Sequence, residues 1–251
     1  MIIETAVSLT VNGEAWLSFM CTPIDLEALA IGFLYNEGLV EQGDEIALVH
    51  ACDTGENVDI WLIHKIEKPE SWVRTSGCTG GFSSSKSALS LDEAEHASLS
   101  KPETELSDRQ GFVESEKFTL DARQIVLLMG QMSEAQSLYR LSGGVHSSAI
   151  SDGQRLVLTT EDISSHNTLD KIAGRCLQDR IPLPQPVLIT TGRISAVLLQ
   201  KAVRLGAEIV ISRTAPSSLA VKLAEQAGIT LVGYARDDRF TVYTHPSRIV
   251  S

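Results

Sequence analysis

Cysteine is scarce in this chain of 251 residues, and it is scattered: four thiols, at positions 21, 52, 78 and 176, none of them in a CxxC pair. The wide spacing excludes a disulfide framework, which a chain long enough to bury its own core does not need. It equally excludes a structural zinc site, which takes about four ligands with local pairing. Cys21, Cys52 and Cys176 are expected to be buried as small hydrophobes. No apolar run approaches the length of a membrane span, so no membrane insertion is expected. The opening stretch MIIETAVSLTVNGE has neither a basic segment nor an uninterrupted apolar core. It makes a poor signal peptide, and a cytoplasmic location is expected. Positive charge is in short supply, with 21 basic against 32 acidic side chains and a net charge of −11. That balance excludes nonspecific binding to a long nucleic acid but leaves room for a small anion in a local basic pocket. No GxGxxG follows the first strand of the last third, which excludes the dinucleotide-binding fold there.

What the sequence does contain is a clear succession of elements. Strand-like runs at 4–11 and 15–20 flank Asn12-Gly13, a hairpin signal. A helix follows over 25–38, its apolar residues Leu26, Leu29, Ala30, Phe33 and Leu34 recurring at helical spacing and Gly38 ending it. Two more strands are expected at 45–51 and 57–63. The stretch 90–110 is polar, acidic and poor in large apolar residues, which predicts a loop or linker. A helix is expected over 121–138, a hairpin from 145–150 and 155–160 around Ser151-Asp152-Gly153, and a further helix over 167–178. In the last third, short apolar strands at 186–190, 207–212 and 229–235 alternate with helical patterns at 194–205 and 217–228. A final strand follows at 240–244. Such alternation implies an α/β fold with a mainly parallel sheet covered on both faces.

Four segments carry the residue types that chemistry needs. In RTSGCTGGFSSSKS (74–87), Cys78 sits among three glycines, with Arg74 upstream and Lys86 downstream. It reads either as a nucleophile on a loop whose basic groups and backbone N–H groups lower its pKa, or as an incidental thiol in a glycine-rich turn. In LSGGVHSSAI (141–150), His146 is either a proton carrier and anion donor or a hydrogen-bonded histidine entering a strand. In TEDISSHNTLDKIAG (160–174), His166 and Asp170 share a helix face. That segment is either catalytic or a helix start capped by Ser164 and Ser165. The fourth feature is a pair of similar loops after strands, TTGRIS (190–195) and SRTAPSS (212–218). Each sets hydroxyls, a lone arginine and a helix start at a strand's C-terminal end, a combination that suits phosphate or pyrophosphate. Candidate ligand residues there are Thr190, Gly192, Arg193, Ser195, Ser212, Arg213 and Ser217.

Taken together, these segments resemble the formate dehydrogenase accessory sulfurtransferase family, usually called FdhD. The resemblance runs through TPIDLEALAIGFLYNEG (22–38), SGCTGG (76–81), GGVHSSAI (143–150), EDISSHNTLDK (161–171) and LITTGRIS (188–195). It continues through SRTAPSSLAVKLAEQAGITLVGYARDDRFTVYTHP (212–246), in order and over most of the chain. It implies a cytidine deaminase-like three-layer core over 111–251, without the deaminase zinc site. Residues 1–110 would be a smaller β-rich region holding helix 25–38, the cysteine loop 74–87 and the polar linker 90–110. It further implies a cytoplasmic homodimer that takes persulfide sulfur from a cysteine desulfurase onto Cys78. The sulfur passes to the molybdenum bis-guanine-dinucleotide cofactor, on which formate dehydrogenase activity depends. The cofactor would be held by His146, His166 and the two arginine loops, and no structural metal is expected.

The chain departs from the family pattern in two places. Gly81 stands where many members have a second cysteine, so a single-cysteine relay is what this chain allows. Ser164 and Ser165 replace the usual glycine and arginine of the EDVGRHNALDK pattern; if that arginine contacts phosphate, either the ligand is held more weakly here or the contact shifts to Arg175. The alternative reading is a non-catalytic chaperone that carries the same cofactor without handling sulfur.

Overall fold

A computed structural model describes residues 1–74, 82–84, 118–182 and 186–251. Cys78, the remainder of its loop at 75–81 and 85–87, and the linker 90–110 lie outside the described residues.

The chain opens with the expected hairpin. Strands β1 (Thr5–Val11) and β2 (Glu14–Cys21) pair antiparallel around Asn12-Gly13, where φ is positive at both residues. Strands β3 (Ile46–Ala51) and β4 (Asn57–Leu62) form a second hairpin, and β4 joins β1 in parallel, giving a sheet of order β2-β1-β4-β3. Between them runs α1 (Leu26–Asn36). Its buried residues include Leu26, Leu29, Ile31, Phe33 and Leu34, with Ala28, Ala30 and Gly32 between them. A helix that is apolar on nearly every side must be enclosed on nearly every side. One face of α1 packs on Val7, Leu9, Val11, Val58 and Ile60 of the sheet. Strand β5 (Trp72–Arg74) pairs antiparallel with β6 (Phe82–Ser84), and Trp72 lies 5.7 Å from the Phe33 ring, which ties β5 to the same core.

A short strand β7 (Leu120–Asp121) leads into the second half. The helix expected over 121–138 is two helices, α2 (Ala122–Ala135) and α3 (Ser137–Ser142), parted at Gln136. The break has a cause. Glu161 accepts the backbone N–H groups of Leu138 (2.7 Å) and Tyr139 (2.9 Å), which caps a new helix start. The Gln136 amide turns inward to the Ser147 hydroxyl (3.0 Å).

Strands β8 (His146–Ser151) and β9 (Leu156–Asp162) form the predicted hairpin, followed by α4 (Ser165–Gln178). Then come β10 (Val187–Thr190), α5 (Ala196–Arg204), β11 (Ile209–Ser212), α6 (Ser218–Gln226), β12 (Thr230–Arg236) and β13 (Arg239–Val242). A last strand, β14 (Ile249–Val250), pairs with β7. The main sheet has the order β13-β12-β11-β10-β8-β9.

The expectation of a mainly parallel sheet holds only at β10-β11-β12. The pairings of β8 with β9, β8 with β10, and β12 with β13 are antiparallel, so the sheet is mixed. Strands joined by tight turns, as at Asp152-Gly153 and Asp237-Asp238, run antiparallel; only a crossover through a helix makes them parallel. Both faces are covered. Leu169 and Ile172 of α4, Leu198 of α5 and Leu223 of α6 pack on Ile150, Leu188, Val210 and Leu231. Ile125, Leu128 and Met132 of α2 pack on Val187, Ile189, Ile211 and Val232 from the other side.

The two halves meet at α1 and α4, and they meet backbone to backbone. A Cβ added at Gly32 would stand 1.7 Å from the Asp170 carbonyl oxygen, and one added at Gly174 would stand 1.9 Å from that of Ala28. No side-chain rotation relieves either clash, so the helices themselves must part. Gly174→Ala and Gly32→Ala should therefore each cost about 3 kcal/mol or more in urea denaturation. Gly130→Ala, on α2 with open space around it, should hold wild-type stability or better. Equal effects at all three positions would refute the close crossing.

Candidate functional site

The EDISSHNTLDK segment crosses from the end of β9 into α4, and most of its polar side chains face inward. Asp162 is fully buried and receives the Lys171 ammonium at 2.6 Å, the Thr22 N–H at 3.1 Å and the Ser164 N–H at 2.8 Å. The Asn167 amide donates to Met20 O (2.9 Å) and to Asp162 (3.0 Å). Lys171, also fully buried, donates a further bond to Thr22 O (3.1 Å). On the neighbouring turn, Asp170 accepts two bonds from Lys201 of α5 (2.6 and 2.7 Å) and one from Asn36 of α1 (2.7 Å). Burial pushes the Asp170 carboxyl up, against the pull of the Lys201 ammonium. These residues clamp β2, α1 and α5 to α4. Removing one member of such a buried pair costs about 3–5 kcal/mol.

The capping expected of Ser164 and Ser165 does not occur: Ser164 is the N-cap residue, yet its hydroxyl makes no cap bond. Arg175 is corrected as well. It lies in the last turn of α4, bonded to Asp179 (2.9 Å) and facing Asp25 (3.6 Å), at the opposite end from the helix start. No phosphate contact at the start of α4 passes to it.

The register of the main sheet gathers the remaining candidates on one edge. Because β8 runs antiparallel to β10, His146 at the start of β8 comes level with the end of β10. Its Nδ1 stands 3.3 Å from the Thr191 hydroxyl. The Thr190 and Ser212 side chains, both fully buried, brace the two arginine loops. The Thr190 hydroxyl oxygen accepts the Gly192 N–H (3.1 Å), and the Ser212 hydroxyl donates to Gly192 O (2.7 Å). The Arg213 N–H donates to Thr190 O (3.1 Å), and Ile194 N–H to Ala215 O (3.3 Å), so the loops are bonded to each other. Ser195 and Ser217 cap α5 and α6 through the N–H groups of Leu198 (3.2 Å) and Ala220 (3.1 Å). Gly192 presses on the start of α4: a Cβ there would meet the Ser165 Cβ at 2.6 Å.

The starts of α4, α5 and α6 therefore share one edge of the sheet, with Arg193 exposed and Arg213 half-buried beside them. Helix N-termini and guanidinium groups both favour an anion. Sequence reasoning missed Arg236, whose Nε donates to Arg213 O (3.0 Å) at the end of β12. The rule that found the other two, an arginine where a parallel strand ends, applies to this third strand as well.

The two histidines are not cations here. Burial lowers the His146 pKa, with the nearby Arg193 acting in the same direction and Asp162 against it. His166 is only 4% exposed, and burial, the Lys201 charge and His146 together lower its pKa to about 3. Its Nδ1 is buried with no hydrogen-bond partner among the described residues. Such an atom costs about 1–3 kcal/mol until something bonds it.

The thiols within the described residues differ from one another. Cys21 is fully buried and burial pushes it up to about 12, while Cys176 rises to about 11 for the same reason. Cys52 is not the buried small hydrophobe expected. It lies in the β3–β4 turn, where the Thr54 hydroxyl (3.2 Å) and the Asn57 N–H (3.1 Å) contact Sγ and lower its pKa. Among the described residues no group of three His, Cys, Asp or Glu side chains is placed to hold a metal.

Comparison with known proteins adds the following. The family model described as the FdhD/NarQ family matches residues 2–250. A protein of Staphylococcus haemolyticus named sulfur carrier protein FdhD is 33% identical over 248 residues, covering 99% of this chain and 89% of that one. The protein of the same name from Staphylococcus aureus strain Newman is 33% identical over 249 residues, with the same coverage. A crystal structure from Desulfotalea psychrophila, assigned as a formate dehydrogenase accessory protein, superposes with a TM-score of 0.75. It is 26% identical and covers 99% of this chain and 90% of that one.

A pH dependence follows from His166. Folding keeps it neutral to about pH 3, whereas the unfolded chain protonates it near 6.5. Between those values the unfolded state binds the extra proton, so stability falls as pH is lowered. Urea melts at pH 7 and pH 5 should show the wild type losing about 2 kcal/mol relative to His166→Gln over that interval. Parallel profiles would mean that the imidazole takes up its proton in the fold.

Proposed function

The chain belongs to the FdhD/NarQ family, and from that premise we propose that it is a sulfur carrier acting on behalf of a formate dehydrogenase, with Cys78 as the sulfur-bearing residue. The observation that carries the ligand side of this reading is the convergence of three helix starts and three arginines on one sheet edge. In a chain of net charge −11, that edge is fitted to phosphate groups.

The cofactor read from the resemblance, the molybdenum bis-guanine-dinucleotide form, is substrate here and carries such phosphates. Arg193 and Arg213 face them; Ser195, Ser217 and the buried Thr190 and Ser212 hold the loops in shape. His146 and His166, kept neutral by burial, serve as hydrogen-bonding groups rather than charges. The larger region is taken as a cytidine deaminase-like core without its metal. The working unit is taken as a cytoplasmic homodimer.

Loading the sulfur onto Cys78 needs no redox partner. The Cys78 thiolate attacks the outer sulfur of a persulfide on a cysteine desulfurase. The donor's S–S bond breaks, the donor cysteine leaves as thiolate, and Cys78 carries the persulfide. Onward transfer to the cofactor breaks the Cys78 S–S bond; the outer sulfur leaves as sulfide and Cys78 returns to thiolate, with two electrons supplied by a thiol reductant that is itself oxidised to a disulfide. Gly81 leaves this loop without a second thiol, so the persulfide is not resolved into a local disulfide.

Mass spectrometry after incubation with desulfurase and cysteine should show one added sulfur on the wild type and none on Cys78→Ala. Only the wild type should restore formate dehydrogenase activity in a strain lacking its own accessory protein. Rescue by Cys78→Ala with no sulfur bound would favour the cofactor-carrying chaperone instead. Separately, Arg193→Gln and Arg213→Gln should each weaken GDP binding about tenfold, the worth of a charge-assisted hydrogen bond.

A further inference from the structure

The start of α4 goes uncapped. The first N–H groups of a helix have no partner inside it and are ordinarily met by a capping side chain or a carboxylate. Here the Ser164 hydroxyl makes no cap bond, and the first turn holds no acidic residue. Asp162 takes the N–H of Ser164 itself and is otherwise committed to Lys171 and Asn167. The positive end of a helix of 14 residues is therefore left without a counter-charge of its own.

His166 adds an independent observation at the same place. It lies in the first turn, is 4% exposed, and has an Nδ1 with no hydrogen-bond partner among the described residues. Side chains on a helix lean toward its N-terminus, so this ring leans toward the free N–H groups. Burial is the main reason that His166 stays neutral, and Lys201 of α5 and His146 of β8 both act in the same direction. Asp170, the carboxylate one turn further on, is already paired with Lys201. A neutral imidazole keeps one N–H. With the proton on Nδ1, the ring offers a buried donor beside an uncompensated helix start, and such a place calls for an anion.

Size selects among anions. Ser164, His166 and Asn167 are only 4–5% exposed. Gly192, in the first arginine loop, lies against the helix start, since a Cβ on it would meet the Ser165 Cβ at 2.6 Å. A phosphate ester carries oxygens and a substituent that this cover keeps out, whereas an anion of one heavy atom can enter. The arginine loops are left to take the phosphates from outside.

A sulfur carrier releases an anion of that size when the persulfide on Cys78 is reduced. We propose that the start of α4, with the His166 Nδ1–H as its innermost donor, is a hydrosulfide site that holds the sulfur on its way from Cys78 to the cofactor. This rests on the sulfur-carrier reading above and adds a place for the sulfur itself, next to the loop that takes the phosphates. No covalent bond forms or breaks there: hydrosulfide arrives with its negative charge, and His166 keeps its proton.

Nitrogen NMR of the full chain, labelled at its six histidines, tests the site directly. The His166 signal is the one missing from His166→Leu, a variant that removes an unpaired buried polar atom and should fold at least as stably as the wild type. Anaerobic titration with sodium hydrosulfide should move the wild-type Nδ1 resonance saturably, and equal sodium chloride should not. Inorganic pyrophosphate should leave the bound signal in place. By sulfide-electrode titration, His166→Leu should bind hydrosulfide about tenfold more weakly, the worth of a hydrogen bond to a charge, and His166→Asn, whose amide reaches the Nδ1 position, within about threefold of the wild type. An unmoved resonance would overturn the inference. An equal response to chloride would make this an adventitious anion site only, and displacement by pyrophosphate would assign Nδ1 to the phosphates; either result overturns it too. If Cys78 takes up sulfur while the His166 signal stays still, this inference fails alone. If Cys78 takes up none, the carrier reading fails and this inference with it.

Discussion

The carbonyl oxygens of Asp170 and Ala28 lie where the side chains of Gly32 and Gly174 would otherwise be, and on that contact the arrangement of the whole chain depends. Helices ordinarily meet through side chains, which set their separation. Here α1 and α4 meet through their backbones at two points four residues apart on each helix. The N-terminal sheet follows α1 and the main sheet follows α4, so the contact fixes one half of the protein against the other. It also fixes where α4 begins, and the start of α4 is one wall of the anion-favouring edge.

The buried ion pairs act on the same geometry. Lys171 with Asp162 holds the end of β2 to the end of β9, and Lys201 with Asp170 holds α5 and α1 to α4. Charges this deep contribute little net stability beyond that of an apolar replacement, yet each becomes expensive once its partner is lost. They therefore resist slippage at the crossing. With α4 held, Gly192 rests against Ser165, Ser212 bonds the Gly192 carbonyl, and the arginine loops inherit a fixed position. The polar side chains of the 161–171 segment that looked most like chemistry thus do mainly structural work. The exception is His166, whose orphaned Nδ1 belongs to the same wall.

Much of this was readable one element at a time. The Asn12-Gly13 hairpin and the alternation of short apolar strands and amphipathic helices after residue 186 both follow from local rules. Those rules govern residues a few positions apart, and the structure obeys them. Legibility failed where a distant residue decided a local outcome. The helix over 121–138 breaks because Glu161 caps a second start. The Ser164 hydroxyl makes no cap bond at the start of α4, where its own N–H is donated to Asp162.

The amino-acid sequence by itself determined most of the element order, the apolar faces, the family likeness and the presence of Cys78 and the two arginine loops, because periodicity and motif are properties of neighbouring residues. Tertiary structure alone decided that the main sheet is mixed, that two glycines are contact points rather than weak spots in helices, and that Arg236 stands beside Arg213. It also decided which charges point inward. Those outcomes depend on which backbones come within bonding distance, and that distance is set by packing between segments that are not neighbours in sequence.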